Sequence, residues 1–206
     1  MLSTNTKIIC VTNRKLCRGD YWERLDNLSK NVDYIILREK DLQEEEYFDL
    51  AKKAYDICGE KLIIHSYPKV AMQLGIRKLH LPLPGLLVLT GREIEAFDML
   101  GTSCHSVEDC LQGKAAGCTY LVAGHIFETD CKKGLPGRGI GFLKQIVEQS
   151  RLPVYAIGGI NGENFPDVIA AGAAGACIMS GLMQCEDVEK YIKDGNYSEP
   201  CKSVIS

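Results

Sequence analysis

The chain has 206 residues, of which 46% are hydrophobic and 25% are charged, and this composition predicts one globular domain with a sizeable core, spanning residues 1–206. The formal net charge of −3 argues against nucleic acid as the main partner, because proteins that bind phosphate backbones usually carry a basic excess. No long apolar run and no leader-like segment occur, and the ten cysteines include no C-x-x-C pair. The sequence therefore predicts a cytoplasmic protein with reduced thiols and no membrane partner.

Eight short apolar runs, several of them apolar on both faces, predict strands of a covered parallel sheet. In chain order they are KIICVT (7–12), DYIILR (33–38), KLIIH (61–65), KLHL (78–81), GTSCH (101–105), CTYLVAG (118–124), PVYAIGG (153–159) and ACIMSG (176–181).

Amphipathic segments with helix start signals separate these runs. The predicted helices cover residues 21–31, 43–58, 67–74, 91–99, 107–116, 140–150, 162–171 and 185–193. Strict alternation of strand and helix requires parallel strands, and eight units favour a single-domain (β/α)₈ TIM barrel over a doubly wound open sheet. The tail after residue 194 shows no clear period.

Polar residues cluster at the predicted carboxyl ends of the strands, where a barrel places its chemistry. All four histidines of the chain lie at or near such ends: His65, His80, His105 and His125. A histidine is useful there because its ordinary pKa of about 6.5 allows it to take and return a proton near neutral pH.

The loops after the seventh and eighth strands predict a phosphate site. AIGGIN and MSG place Gly159, Ser180 and Gly181 in adjacent loops, where glycine lets backbone N–H groups approach an anion. Thr129 and Lys132, with Lys133, follow the sixth strand and add a hydroxyl and ammonium groups for the same ligand.

A metal site is not predicted. The histidines are far apart in sequence, and the carboxylates near strand ends, among them Glu39 and Asp41, alternate with cations rather than converge. We therefore predict no metal and no cofactor.

Five motifs together resemble the thiamine-phosphate-synthase superfamily along nearly the whole chain. They are LREKD after strand 2, GTSCHS at strand 5, T-x-C-K after strand 6, AIGGI at strand 7 and SG at strand 8. Synthases of this superfamily typically carry IINDR and HLGQ-x-D, whose aspartates bind magnesium, and this chain has IIHSY and HLPLP instead.

The chain is similar to the TenI branch of the superfamily at GHIFETDCKKGLPGRG and GTSCHS. Members of this branch are thiazole tautomerases. This resemblance implies a metal-independent isomerase of thiamine biosynthesis that aromatises a carboxythiazole phosphate by moving one proton. It implies His125 as the proton shuttle. Dimers are common in the superfamily, so the resemblance also implies a homodimer or a higher homo-oligomer.

Other roles stay open in the sequence. Arg38 and Lys40 match residues that hold a pyrophosphate in synthases. They either bind the substrate carboxylate here or are charged residues inherited at this strand end. Ser103 and His105 position substrate, unless His105 holds the turn after strand 5. Cys131 either takes part in the chemistry or fills the place of a threonine. The alternatives to the tautomerase are a magnesium-dependent thiamine-phosphate synthase and a non-catalytic regulator that binds thiazole phosphate.

Overall fold

A computed structural model describes residues 6–129, 132 and 134–195. Eight parallel strands form a closed barrel in which each strand pairs with the next along the chain and the eighth pairs with the first. The strands are β1 Lys7–Val11, β2 Tyr34–Leu37, β3 Leu62–His65, β4 Lys78–Pro82, β5 Met99–Cys104, β6 Tyr120–Gly124, β7 Val154–Ile157 and β8 Gly175–Ile178. The predicted (β/α)₈ barrel is confirmed.

Ten α-helices occur in the described ranges. They are α1 Tyr21–Asn31, α2 Glu44–Cys58, α3 Pro68–Gln73, α4 Leu83–Leu87, α5 Gly91–Glu95, α6 Val107–Ala115, α7 Gly139–Ser150, α8 Phe165–Ala170, α9 Ser180–Gln184 and α10 Val188–Lys193. None of the described helices is long and apolar enough to cross a membrane.

Several predicted helices and strands differ from the structure in extent, and one helix was not predicted. Helix α4 was missed because Pro82, Pro84 and Gly85 suggest a turn, although proline is tolerated in a first helical turn, where its missing N–H is not needed. The helix predicted over residues 91–99 ends at Glu95, and β5 begins at Met99, two residues earlier than expected.

The eighth strand is also shorter than predicted, and this changes the setting of the proposed phosphate residues. Strand β8 ends at Ile178, and Ser180 and Gly181 are the first two residues of α9 rather than the end of a strand. The predicted tail beyond Gly195, together with Cys131 and Lys133, lies outside the described residues.

Alternating side chains of the strands fill two separate apolar layers. The larger layer lies between the barrel and the helices, and it includes Ile8 and Cys10 of β1. The smaller layer fills the barrel interior, and it includes Ile9 and Val11, the alternate residues of β1, together with Tyr120 and Tyr155. Burial on both faces explains why these strands are apolar runs rather than alternating patterns.

A glycine makes room for a tyrosine side chain inside the barrel. A Cβ atom on Gly101 of β5 would lie 2.0 Å from the ring carbon Cζ of Tyr120, on the neighbouring strand β6. Any other residue at this position would displace the Tyr120 ring, so the packing of Tyr120 requires glycine here.

Candidate active site at the carboxyl ends of the strands

A cavity of about 350 Å³ opens at the carboxyl ends of the strands, and all eight strands or the loops directly after them contribute to its wall. The sequence-predicted site residues all line it: Arg38, Lys40, Ser103, His105, His125, Thr129, Lys132, Gly159, Ser180 and Gly181. The closed barrel therefore brings together residues that are up to 143 positions apart, Arg38 and Gly181. Their individual roles stay predictions.

His125 directly follows β6 and is only 6% exposed. Its Nε2 atom lies 3.2 Å from the backbone carbonyl oxygen of Leu135, and the Gly124–His125 peptide bond is cis. A carbonyl oxygen only accepts hydrogen bonds, so Nε2 carries a hydrogen whether the ring is neutral or charged. The proton that this ring can exchange is therefore the one at Nδ1.

The Nδ1 atom of His125 is buried and has no hydrogen-bond partner among the described residues. A buried polar atom left unpaired costs about 1–3 kcal/mol, so such atoms are rare unless a ligand completes them. The structure thus leaves the Nδ1 atom of His125, a residue that lines the cavity, without a partner among the described residues.

The loop after β7 has a backbone that requires glycine. Gly158 and Gly159 have φ angles of +98° and +63°, and a Cβ atom on Gly159 would lie 2.3 Å from the carbonyl oxygen of Glu128. The side-chain amide of Asn164 donates to the Gly159 carbonyl at 2.8 Å and holds the turn. This geometry brings the loops after β6 and β7 into contact at the cavity wall.

Three cations gather at the same cavity without a described carboxylate among them. The pKa of Lys40 is lowered, first by the positive charge of Arg38, then by burial and by the charge of Lys132. None of the three forms an ion pair within residues 6–129, 132 and 134–195. Like charges held together in this way favour an anionic ligand, which would lower their mutual repulsion.

Two histidines inside the barrel are held in the neutral form. Burial lowers the pKa of His80 to about 3, and burial followed by the charge of His80 lowers the pKa of His65 to about 2. Their rings stack with centroids 5.6 Å apart. Both line the cavity, but neither was assigned a role from the sequence. Their strand-end positions were the signal that could have found them.

The contacts of His105 favour a role in holding the turn after β5 over a role in positioning substrate. Its Nδ1 atom lies 2.8 Å from the carbonyl oxygen of Gly124, to which it donates, and its backbone N–H donates to the Asp109 carboxylate at 2.7 Å. The ring therefore ties the end of β5 to the end of β6, directly before His125. It holds the turn while one face borders the cavity.

Glu39, one of the strand-end carboxylates considered for a metal, has a different place. It is 3% exposed and accepts hydrogen bonds from the Thr12 hydroxyl at 2.7 Å, the Arg14 backbone N–H at 3.0 Å and the Tyr21 hydroxyl at 3.2 Å. It lies outside the cavity wall and fastens the end of β1 to the end of β2. Sequence reasoning missed this buried network.

We expect acid to destabilise the protein through His65 and His80. Their folded-state pKa values lie well below 6.5, so below pH 6.5 the unfolded chain binds more protons than the folded one. Their contribution is full above pH 6.5 and is lost as the pH falls toward the folded pKa values. At pH 5 the loss is about 2 kcal/mol for each histidine.

Urea unfolding between pH 7 and pH 5 measures how much the free energy of unfolding falls with pH, in a window above the titration of most carboxylates. His80→Asn should remove about half of this pH-dependent decrease, whatever the variant does to the free energy of unfolding at pH 7. A free energy of unfolding that is flat between pH 7 and pH 5 would contradict the neutral, buried assignment of both rings.

The fold is a (β/α)₈ barrel with a cavity at the carboxyl ends of its strands, and the cavity is lined by cations, glycine loops and a buried histidine. This arrangement is typical of enzymes that act on small anionic molecules. The family model described as thiamine monophosphate synthase, TMP-TENI, matches residues 8–182. The chain belongs to this family of thiamine-biosynthesis enzymes.

Individual relatives agree with this assignment. The chain is 29% identical over 195 residues to a thiamine-phosphate synthase of Clostridium acetobutylicum, covering 92% of each chain. It is 33% identical over 162 residues to thiamine-phosphate synthase 2 of Streptococcus pneumoniae, covering 77% of each. The structure of a thiamine phosphate pyrophosphorylase from Pyrococcus furiosus superposes with a TM-score of 0.76 at 26% identity, over 95% of this chain and 97% of that one.

Proposed function

We propose that this protein is a thiazole tautomerase, which moves one proton within a carboxythiazole phosphate and so makes the ring aromatic. The observation that supports this most directly is His125, whose uncommitted Nδ1 atom is buried in the wall of a cavity with anion-binding features. Proton transfer within one molecule needs a base that also serves as the acid, together with an anchor for the phosphate.

In the proposed mechanism, Gly159, Ser180 and Gly181 hold the substrate phosphate, and Nδ1 of His125 faces the ring. Nδ1 removes a proton from one carbon of the ring system, and the electron pair left behind is delocalised through the heterocycle. The imidazolium keeps its Nε2 hydrogen bond to the Leu135 carbonyl. Nδ1 then returns the same proton to another position, which leaves the aromatic isomer and the neutral histidine.

The cation cluster has a role in this scheme. Arg38, Lys40 and Lys132 face a cavity that would also contain the substrate's carboxylate. Their charges attract that group and stabilise negative charge that develops when the ring loses its proton. A second anionic group on the substrate therefore explains why cations line the cavity in addition to the glycine loops.

A thiamine-phosphate synthase, joining a pyrimidine pyrophosphate to a thiazole phosphate, is the second candidate. The names of the relatives favour it, and three cations would also suit a leaving pyrophosphate. Synthases of this superfamily use magnesium, which prefers oxygen ligands and above all carboxylates.

The residues described here do not fit that ion. No Asp or Glu lines the cavity among them, and Ser66 stands where a synthase has an aspartate. No group of three or more His, Cys, Asp or Glu in the described chain is arranged to hold a metal. We therefore place the synthase second and derive no step through magnesium.

Two assays on the same preparation separate the candidates. In the first, the non-aromatic carboxythiazole phosphate is incubated with protein in the presence of a chelator, and the aromatic isomer is followed by ultraviolet absorbance. In the second, pyrimidine pyrophosphate, thiazole phosphate and magnesium are supplied, and thiamine phosphate is quantified by chromatography.

We expect the first assay to exceed the buffer rate by orders of magnitude and the second to stay at background. Product in the second assay without acceleration in the first would replace the tautomerase by the synthase. No acceleration in either, with thiazole phosphate binding intact, would favour the non-catalytic regulator.

A further inference from the structure

A hydrogen-bonded chain of three side chains runs from the barrel interior to the cavity. The Tyr120 hydroxyl lies 3.0 Å from Nδ1 of His80, and Nε2 of His80 lies 2.9 Å from the Ser103 hydroxyl oxygen. Tyr120 and His80 are each 2% exposed, whereas Ser103 is partly exposed in the cavity wall. The direction of these bonds decides what Ser103 offers to a ligand.

The buried tyrosine sets that direction. The Tyr120 hydroxyl has one hydrogen, and the described residues provide it with a single acceptor, Nδ1 of His80. If the hydroxyl accepted from Nδ1 instead, its own hydrogen would be buried without a partner, which costs about 1–3 kcal/mol. Tyr120 therefore donates to Nδ1.

The remaining direction follows from the chemistry of imidazole. His80 is almost fully buried and neutral, and a neutral ring has one donor nitrogen and one acceptor nitrogen. Because Nδ1 accepts, Nε2 carries the hydrogen and donates to the Ser103 oxygen. The Ser103 hydrogen has no acceptor among the described residues, so it is available to a molecule in the cavity.

We propose that Tyr120 and His80 are positioning residues that keep the Ser103 hydrogen free to donate into the cavity, and that its acceptor is the carboxylate of the substrate. This inference rests on the proposed function for the identity of the ligand. A carboxylate is favoured because the described cavity wall contains cations and no competing carboxylate.

The direction of the hydrogen bonds from Tyr120 through His80 to Ser103 is tested without any ligand or turnover. Nitrogen-15 spectra of protein labelled at histidine report which ring nitrogen carries the hydrogen, and the spectrum of His80→Asn assigns the His80 signals. We expect the Nε2–H form alone in the wild type and a loss of this single form in Tyr120→Phe. Tyr155→Phe is the matched control, because Tyr155 contacts Tyr120 edge-on with ring centroids 5.9 Å apart and has no bond to His80. An Nδ1–H ring in the wild type would overturn the proposal.

The identity of the acceptor is tested by calorimetric binding of two stable compounds, the aromatic carboxythiazole phosphate and the thiazole phosphate that lacks the carboxylate. Ser103→Ala and Tyr120→Phe should each weaken the first compound by about tenfold and change the second by less than about twofold. The double variant should bind like Ser103→Ala alone, because both changes remove one donor.

Additive losses in the double variant, or an equal response of the two compounds, would overturn the proposal. Failure of the proposed function looks different. Wild-type protein would then fail to accelerate tautomerisation, while the ring form of His80 and the preference for the carboxylated compound would persist.

Discussion

His125→Asn is expected to lower turnover of the carboxythiazole phosphate tautomer by about 10²–10⁴-fold, the usual contribution of a catalytic imidazole. Asparagine is similar in size and keeps an N–H donor that can reach the Leu135 carbonyl, the partner of Nε2 in the wild type. It has no nitrogen that takes up a proton near neutral pH, so the step proposed for Nδ1 is lost. Initial rates at saturating substrate measure the effect.

The matched control for this variant is His105→Asn, which removes a second imidazole from the same cavity wall. The Nδ1–H of His105 donates to the Gly124 carbonyl and ties β5 to β6, and the proposed mechanism assigns no proton transfer to its Nε2 atom. We expect a loss of less than about tenfold, arising from a looser β5–β6 junction. Calorimetry with thiazole phosphate should show that His125→Asn still binds the ligand. Comparable rate losses in the two variants would contradict the assignment of His125 as the shuttle.

Glu39→Ala is expected to lower the free energy of unfolding by about 3–5 kcal/mol, the second large effect. The change leaves the Thr12 hydroxyl, the Arg14 backbone N–H and the Tyr21 hydroxyl without their shared acceptor in a buried place. Thr12 also accepts from the backbone N–H of Arg38 at 3.0 Å, so the damage reaches the strand end that carries this cation. Urea unfolding at pH 7, followed by circular dichroism, measures the loss.

Asp41→Ala is the control for Glu39→Ala, because Asp41 bonds the same arginine, Arg14, but on the exposed surface. Exposed ion pairs contribute little, and we expect a loss of at most about 1 kcal/mol. Glu39→Gln keeps an acceptor at the same place and should fall between the two. Equal losses in Glu39→Ala and Asp41→Ala would show that burial of this carboxylate is not what stabilises the junction of β1 and β2.

The strand-end residues were predictable because of the barrel's geometry. Once eight parallel strands are expected, every residue that follows a strand must lie at the same end of the barrel, whatever its distance along the chain. This is why Arg38, Ser103, His125 and Gly159 could be grouped from the sequence and are found around one cavity. The same reasoning does not give side-chain direction, so it left open whether His105 positions substrate or holds the turn, and its ring is bonded to the end of β6.

The sequence by itself determined the fold, the end of the barrel that carries the site and the set of residues there, because local periodicity and strand order suffice for these. Only the tertiary structure decided which ring nitrogen of His125 lacks a hydrogen-bond partner and that Glu39 is buried. It also decided that Tyr120 and His80 form a hydrogen-bonded chain to Ser103. The physical reason is that hydrogen-bond partners and burial depend on contacts between distant segments. Tyr120 and His80 are 40 positions apart, and no local pattern records that they meet.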